Sequence, residues 1–221
     1  MNEKNRIAII DDDQSIRRSL MRMLSNAGYD VIAFANAADF LTGIDAAGGE
    51  RFSCVVSDLR MPGADGLELQ QALRARLPDL SVVFITGYGD VPATASAMKA
   101  GAVDFLEKPV KRKALLEAVD RAIARTQELS AASTETDELR IRYKRLSPRE
   151  SEVFPLVAAG LLNKQIAAEL GAAEKTIKQH RGRVMLKMEA ESLAELVLMA
   201  ERLGVRPSNK DFNRAKGRLN H

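Results

Sequence analysis

The chain has one cysteine among 221 residues, Cys54, and no apolar run long enough to cross a membrane. One cysteine cannot form an intramolecular disulfide, which excludes the disulfide frameworks of small secreted proteins. A transmembrane helix needs about 20 consecutive apolar residues. The N-terminus, MNEKNR, is polar and charged and lacks the apolar region of a signal peptide. We therefore expect a cytoplasmic protein that does not enter a membrane.

A large excess of one charge is also lacking, since the net charge is +3. Its distribution is uneven. Residues 1–125 carry 16 Lys and Arg against 17 Asp and Glu, whereas residues 146–221 carry 13 against 9. A basic C-terminal part is weak evidence for a polyanionic partner such as nucleic acid, and a solvated basic surface explains the charge equally well.

Short apolar runs alternate with longer amphipathic segments through residues 1–125, the first predicted domain. The runs are RIAII, VIAF, CVVS, VVFI and VDFL, and the amphipathic segments lie near 14–27, 36–46, 66–77, 91–100 and 111–126. Strands that alternate with helices in this way form parallel sheets with helices on both faces. The pattern predicts an α/β domain with a doubly wound, five-stranded parallel sheet.

The rest of the chain predicts helices without strands. Residues 126–145 are polar and balanced in charge, which predicts a linker with helical tendency, in which Ser133 or Thr134 offers an N-cap. Residues 146–206 predict an all-α domain of four short helices. The expected N-caps are Ser147, Asn163 and Ser192, with Glu150 completing a capping box with Ser147. The expected stops are Gly160, Gly171 and Gly204. Residues 207–221 are expected to form a disordered tail.

Polar side chains follow four of the five predicted strands. They are Asp11 and Asp12 after the first strand, Asp58 after the third, Thr86 after the fourth and Lys108 after the fifth. Ligands of open α/β sheets bind beyond these strand ends. Clustered carboxylates raise one another's pKa unless a cation is present, and Mg²⁺ suits oxygen ligands. One carboxylate could then attack phosphorus, while Mg²⁺ and the lysine offset the negative charge.

The motifs IIDDD, VVSDLRMPGADGLEL, VVFITGYGD and AGAVDFLEKPV resemble the receiver domain of two-component response regulators. The resemblance implies a flavodoxin-like fold in which Asp58 accepts a phosphoryl group from a sensor histidine kinase. Mg²⁺ would be held by Asp12, Asp58 and the backbone carbonyl of Arg60, with Asp11 acting through water. Thr86 and Lys108 would bind the phosphoryl group, and Thr86 and Phe105 would form the switch. Asp13 has no such role, and we expect it to cap the first helix.

The segment AEKTIKQHRGRVMLKM predicts a helix with an apolar and a basic face. Ile177, Val184 and Met188 share one stripe, and Lys175, Lys178, Gln179, Gly182 and Arg183 lie on the other side. Lys and Arg contact phosphates or guanine, and Gln can read adenine. On the helix alone, a solvated basic surface is the more frequent explanation.

The pieces LSPRE, AGLLNKQIA and KTIKQH resemble the LuxR-type helix-turn-helix domain of the NarL/FixJ group. The resemblance implies a recognition helix from Lys175 to Lys187. The DNA-contacting set would be Lys164, Lys175, Thr176, Lys178, Gln179, Gly182, Arg183 and Lys187. Gly182 brings no side chain to a base, and Pro155 removes a hydrogen bond from the first helix and should kink it.

Together the two resemblances imply a phosphorylation-activated transcriptional regulator rather than an enzyme, the receiver catalysing only its own phosphoryl transfer and dephosphorylation. Implied partners are the kinase, promoter half-sites, RNA polymerase and a second copy of the chain. Two alternatives stay open at this point. The chain could be a phosphotransfer or protein-interaction module whose helical domain binds protein, or a Mg²⁺-dependent phosphatase, although Arg60 stands where such an enzyme needs an acid.

Overall fold

The computed structural model describes residues 5–46, 52–62, 66–87, 95 and 97–206. The chain divides into two compact units, Met1–Ala131 and Ala132–His221. Among the described helices, none combines the length and the apolar character that a membrane crossing requires. The predicted disordered tail, 207–221, lies outside the described residues.

The first unit contains a five-stranded parallel sheet. Its strands are β1 (Arg6–Ile10), β2 (Asp30–Phe34), β3 (Cys54–Asp58), β4 (Val82–Thr86) and β5 (Asp104–Glu107). They are ordered β2-β1-β3-β4-β5, and every neighbouring pair is parallel. This confirms the predicted doubly wound sheet. Strand β3 lies at its centre, so the residue that ends β3 lies near the ends of β1 and β4.

Helices cover both faces of the sheet. They are α1 (Gln14–Ser25), α2 (Ala37–Ala46), α3 (Gly66–Arg76) and α4 (Arg112–Lys144). One core packs α1 and the first part of α4 against Cys54 and Val56 of β3, and the other packs α2 and α3 against Val55. Because side chains alternate across a strand, β3 supplies both cores and is buried throughout. Of the predicted helix 91–100, residues 95 and 97–100 are described; 95 and 97–99 are helical, and 100 lies in a turn.

Helix α4 runs without interruption through the segment predicted as a linker. No helix begins at Ser133 or Thr134, so the prediction of an N-cap there is wrong. Thr136 lies inside the helix, and its hydroxyl donates to the carbonyl of Ala132 four residues earlier. A short polar side chain that bonds within the helix in this way does not interrupt it.

The described residues of the second unit, 132–206, form helices and turns without strands, as predicted. The unit contains the last part of α4 together with α5 (Pro148–Ala158), α6 (Asn163–Leu170), α7 (Glu174–Met188) and α8 (Leu193–Leu203). Ser147 and Glu150 form the expected capping box, and α5 continues beyond Pro155 to Ala158. Gly171 and Gly204 have positive φ angles of 62° and 67° and end their helices as predicted. One shared apolar core includes Leu139 of α4 and buried side chains from each of the other four helices.

The N-cap of α6 differs from the prediction. Leu162 occupies the cap position with extended backbone angles, and Asn163 is the first helical residue. The leucine side chain accepts no hydrogen bond, and only the reverse half of a capping box is present, from the Leu162 N–H to Gln165 Oε1 at 2.8 Å. The leucine is 67% exposed, so little packing depends on it.

We expect Leu162→Ser to stabilise the second unit by about 1 kcal/mol, because a serine hydroxyl accepts a backbone N–H of the first turn and completes the box. The free energy of unfolding, measured by chemical denaturation, tests this. Leu162→Ala is the matched control, since it removes the exposed leucine without adding an acceptor. Equal stability of the serine and alanine variants would contradict the capping explanation.

Candidate functional site

Three carboxylates converge at the carboxyl ends of β1 and β3. Asp11 follows β1 and is fully buried, Asp58 ends β3 and is 7% exposed, and Asp12 is exposed. One oxygen from each lies within 4.8 Å of the others, so the three residues could hold a metal ion. The parallel register of β1 and β3 brings these residues together from positions 47 apart in the sequence.

Lys108 joins this cluster from the end of β5. Its Nζ donates to Asp58 Oδ2 at 2.5 Å and to Asp11 Oδ2 at 3.1 Å. Burial alone would lower the pKa of Lys108, but its hydrogen bonds to Asp58 and Asp11 and their negative charges together raise it. The lysine therefore stays an ammonium and supplies positive charge between the two carboxylates.

Asp11 is the carboxyl of the cluster whose ionisation is disfavoured by burial. Burial raises its pKa, against the opposing hydrogen bonds from the Asp13 N–H, at 2.8 Å, and from Lys108. Ionising this carboxyl is thus less favourable in the folded chain than in water. A divalent cation beside Asp11 would stabilise the ionised carboxylate, so the electrostatics of this site favour the binding of such a cation.

Asp13 has a different task from its two neighbours. Its Oδ1 accepts the N–H groups of Ser15 and Ile16 at 2.7 and 3.3 Å, which makes it the N-cap of α1. The predicted division of the aspartate triplet is therefore confirmed for its capping member. Arg17, one turn into α1, donates to the backbone carbonyl of Asp11 at 2.5 Å and ties the helix to the cluster.

Of the remaining predicted residues, Thr86 and Arg60 lie at or just after the ends of β4 and β3, and Phe105 lies within β5. Thr86 ends β4, is 8% exposed, and its hydroxyl donates to the Gly87 carbonyl at 3.2 Å. The Arg60 N–H donates to Asp58 Oδ1 at 3.1 Å, which orients the carboxylate. Phe105 of β5 is half-buried, and its ring centroid lies 5.4 Å from that of Phe84.

A second candidate site is the exposed face of α7. Ile177, Val184 and Met188 are buried in the helical core, as their spacing predicts. The opposite side of α7 exposes Lys175, Thr176, Lys178, Gln179, Gly182 and Arg183, and Lys164 is exposed on α6. Four cations and an amide thus face solvent on two successive helices, a composition that suits the phosphates and base edges of DNA.

Lys187 does not belong to that exposed face. Its Nζ donates to Glu150 Oε2 at 2.5 Å and to the Arg145 carbonyl at 3.1 Å. Glu150 is 2% exposed, so leaving it without this partner would cost free energy. We therefore remove Lys187 from the DNA-contacting set, because its ammonium is used inside the domain.

Sequence reasoning identified Glu150 as a capping residue and Lys187 as a DNA contact, but it did not pair them. The two residues lie 37 positions apart on different helices, and a pattern within one helix carries no information on such a pair. Only the crossing of α5 and α7 brings the carboxylate and the ammonium together.

Comparison with known families assigns a family to each of the two parts of the chain. Residues 7–120 match the family described as "Response regulator receiver domain", and residues 144–200 match "Bacterial regulatory proteins, luxR family". The acidic cluster lies within the first match and the basic face of α7 within the second.

Individual relatives combine both parts. The Nodulation protein W of Bradyrhizobium diazoefficiens is 45% identical, over 90% of this chain and 86% of its own length. The Transcriptional regulatory protein FixJ of the same organism is 43% identical over 93% and 98%. The structure titled "Low Resolution Structure of Response Regulator StyR" has a TM-score of 0.72 at 41% identity, covering 90% of this chain and 100% of that one. The chain belongs to the NarL/FixJ family of two-component response regulators, DNA-binding transcriptional regulators that join a receiver domain to a LuxR-type helix-turn-helix domain.

Proposed function

We propose that Asp58 is the phosphoacceptor of this regulator and that phosphorylation controls its activity on DNA. An Asp58 oxygen attacks the phosphorus of a phosphohistidine on the sensor kinase, a P–O bond forms, and the P–N bond to imidazole breaks. The observation that carries the proposal is the carboxylate of Asp58 at a strand end, 2.5 Å from the Lys108 ammonium and grouped with two further carboxylates. In this proposal the receiver catalyses only its own phosphoryl transfer and dephosphorylation.

Mg²⁺ fits the acidic cluster. Mg²⁺ binds oxygen ligands and usually keeps several waters. One carboxylate oxygen each from Asp11, Asp12 and Asp58 lies within 4.8 Å of the other two, so these residues could hold the ion directly or through water. Asp12 and Asp58 would be direct ligands with the Arg60 carbonyl, and Asp11 would act through water. The ion would offset the charge on the phosphoryl oxygens.

Lys108 and Thr86 are proposed to bind the phosphoryl group. Lys108 already lies beside the Asp58 oxygen, and its ammonium would pair with a phosphoryl oxygen. The Thr86 hydroxyl would leave the Gly87 carbonyl and donate to another phosphoryl oxygen. Phe105 would fill the space vacated by Thr86. This movement would change the surface formed by β5 and by the segment that comes before β5 in the chain.

The remodelled surface is proposed to pair two phosphorylated copies of the chain. A dimer presents two recognition helices, so it binds two DNA half-sites, with RNA polymerase as the further partner at the promoter. Lys164 and Thr176 would contact phosphates, and Lys178, Gln179 and Gly182 would face bases, with Lys175 and Arg183 adding to the basic face. Because the partner is chromosomal DNA, we propose the cytoplasm as the location.

The experiment is a measurement of intact mass after incubation of the full chain with a small-molecule phosphodonor and Mg²⁺. We expect the wild type to gain the mass of one phosphoryl group and Asp58→Asn to gain none, because an amide is not a nucleophile toward phosphorus. Asp39→Asn is the matched control, since Asp39 is an exposed aspartate on α2 that is not one of the three clustered carboxylates. An unchanged wild-type mass, or a phosphorylated Asp58→Asn, would overturn the proposal.

A further inference from the structure

Gln70 is a buried polar side chain that plays no part in the phosphoacceptor cluster. It lies on α3, is 4% exposed, and donates from Nε2 to two backbone carbonyls, Ala97 at 3.3 Å and Ala100 at 3.0 Å. Its Oε1 is buried and has no hydrogen-bond partner in the described part of the chain. A buried amide is costly to retain unless its hydrogen bonds matter, and an apolar side chain of this length would fill the same space.

The two carbonyls belong to the end of the helical segment before β5. Carbonyls in the last turn of a helix lack intrahelical partners, and here the Ala97 carbonyl also accepts the Ala102 N–H at 3.0 Å. Gln70 therefore supplies an external cap. One amide nitrogen holds the 97–100 turn against α3 at two points.

The two Gln70 hydrogen bonds form a tether between α3 and the 97–100 turn. The α3 end of this tether lies close to Asp58, the proposed phosphoacceptor. Helix α3 begins at Gly66, whose N–H donates to the Leu59 carbonyl at 2.9 Å. A Cβ at Gly66 would lie 3.0 Å from the Asp58 carbonyl oxygen and 2.7 Å from a ring carbon of Phe84. The start of α3 is thus in close contact with the residues at the end of β3, and little space separates them.

The other end of the tether, at the 97–100 turn, lies just before β5, the strand that contains the proposed switch residue Phe105. After the 97–100 turn, the Val103 N–H donates to the Val82 carbonyl at 2.9 Å, and β5 with Phe105 follows directly. Ala97, Ala102, Phe84 and Phe105 belong to the same face of the sheet as Leu69 of α3. A shift of the 97–100 turn would therefore alter the packing around Phe105.

We propose that Gln70 is a positioning residue of the phosphorylation switch: its two hydrogen bonds hold the 97–100 turn on α3 and thereby stabilise the resting arrangement. That arrangement is defined by the Lys108–Asp58 ion pair and by the Thr86 hydroxyl on the Gly87 carbonyl. The inference rests on the proposed role of Asp58.

The sign of the effect follows from geometry. Lys108 already lies beside Asp58, so a phosphoryl group on Asp58 acts on this connection by drawing Thr86 toward it. That movement shifts the end of β4, and the 97–100 turn belongs to the connection between β4 and β5. Hydrogen bonds at 3.0 and 3.3 Å are lost once the turn shifts by about 1 Å. The tether therefore adds its free energy to the resting side of the equilibrium, and its removal favours the activated side.

The test is the affinity of the full chain for a phosphoryl analogue, beryllofluoride with Mg²⁺, followed by the ¹⁹F resonance of the bound species. Gln70→Met keeps the length and volume of the side chain but cannot donate. Gln71→Met is the matched control, with the same change at the exposed neighbour on α3. We expect Gln70→Met to lower the half-saturating analogue concentration by about threefold to tenfold, the value of one or two modest hydrogen bonds, with no change in the control.

Three results would overturn the inference. If Gln70→Met lowers the melting temperature but binds the analogue with the control's affinity, to within about twofold, Gln70 is a packing residue only. Weaker binding by Gln70→Met would show that the tether belongs to the activated arrangement. If the wild type itself shows no saturable binding, the Asp58 proposal fails and this inference fails with it. Should Gln70→Met not fold by circular dichroism, Gln70→Asn, whose amide is too short to reach both carbonyls, is expected to give the same tightening.

Discussion

We expect Asp12→Ala to abolish Mg²⁺-dependent phosphorylation while leaving the receiver folded. Asp12 is exposed and lies in the carboxylate cluster with Asp11 and Asp58, so its removal takes away a proposed metal ligand but no packing. Without that ligand the proposed ion loses a direct contact, and the charge on the transferred phosphoryl group is poorly offset. The measurement is phosphoryl incorporation from a small-molecule donor over a range of Mg²⁺ concentrations.

The adjacent residue provides the control. Asp13→Ala removes the side-chain acceptor of the Ser15 and Ile16 N–H groups and should lower the free energy of unfolding by about 1 kcal/mol. Its backbone N–H, which bonds to Asp11 Oδ1, remains, so phosphorylation should stay at the wild-type level. Equal loss of phosphorylation in both variants would show that the triplet acts as one acidic patch, without the division of roles described above.

The sequence could predict those parts of the structure that depend on the local spacing of apolar and polar residues and on the order of the strands. All five strands lie within one residue of the predicted runs at either end, because each is a short apolar stretch closed by polar or turn residues. The convergence of Asp11 and Asp58 followed from one rule, that parallel strands present their carboxyl ends at the same edge. Asp13 as a helix cap followed from its place before QSIRR.

The parts that could not be predicted depend on contacts between distant elements. In the sequence, Gln70 cannot be distinguished from the other polar residues of α3, because the two carbonyls that it binds lie 27 and 30 residues away. The continuity of α4 was ambiguous for another reason. Its middle contains short polar residues that suit a cap as well as a helix, and the apolar residues that anchor it, such as Leu115 and Leu139, lie toward its two ends. At α6, an exposed leucine stands where local propensity favours a polar cap.

Loss of the Glu150 carboxylate should strongly destabilise the helical domain. Its Oε2 accepts Lys187 Nζ at 2.5 Å and the Ser147 N–H at 2.7 Å, and its side chain is 3% exposed. We expect Glu150→Ala to lower the free energy of unfolding of this domain by about 3 kcal/mol. The value is at the low end for a broken buried pair, because the Lys187 side chain is 35% exposed and can be partly hydrated. Hydrogen exchange across α5 and α7 of the full chain resolves this loss from any change in the receiver.

The same ion pair predicts a pH dependence with a definite sign. The hydrogen bond from Lys187, followed by that from the Ser147 N–H, lowers the pKa of Glu150 from 4.5 to about 2. A carboxyl whose pKa is depressed in the folded state stabilises the fold above its unfolded pKa and loses that contribution as the pH falls toward the folded value. We therefore expect the domain to lose up to about 3 kcal/mol between pH 5 and pH 2 through this group.

Two substitutions separate the charge from the shape. Glu150→Gln keeps the acceptor for the Ser147 N–H but cannot titrate, so it should be less stable than the wild type at neutral pH and lose less stability on acidification. Glu152→Gln, two residues along α5, breaks only the exposed pair with Arg149 and should cost less than about 1 kcal/mol. If the wild type and Glu150→Gln lose stability in parallel from pH 5 to pH 2, the acid sensitivity of the domain has another origin and the Lys187 pair does not hold Glu150 ionised.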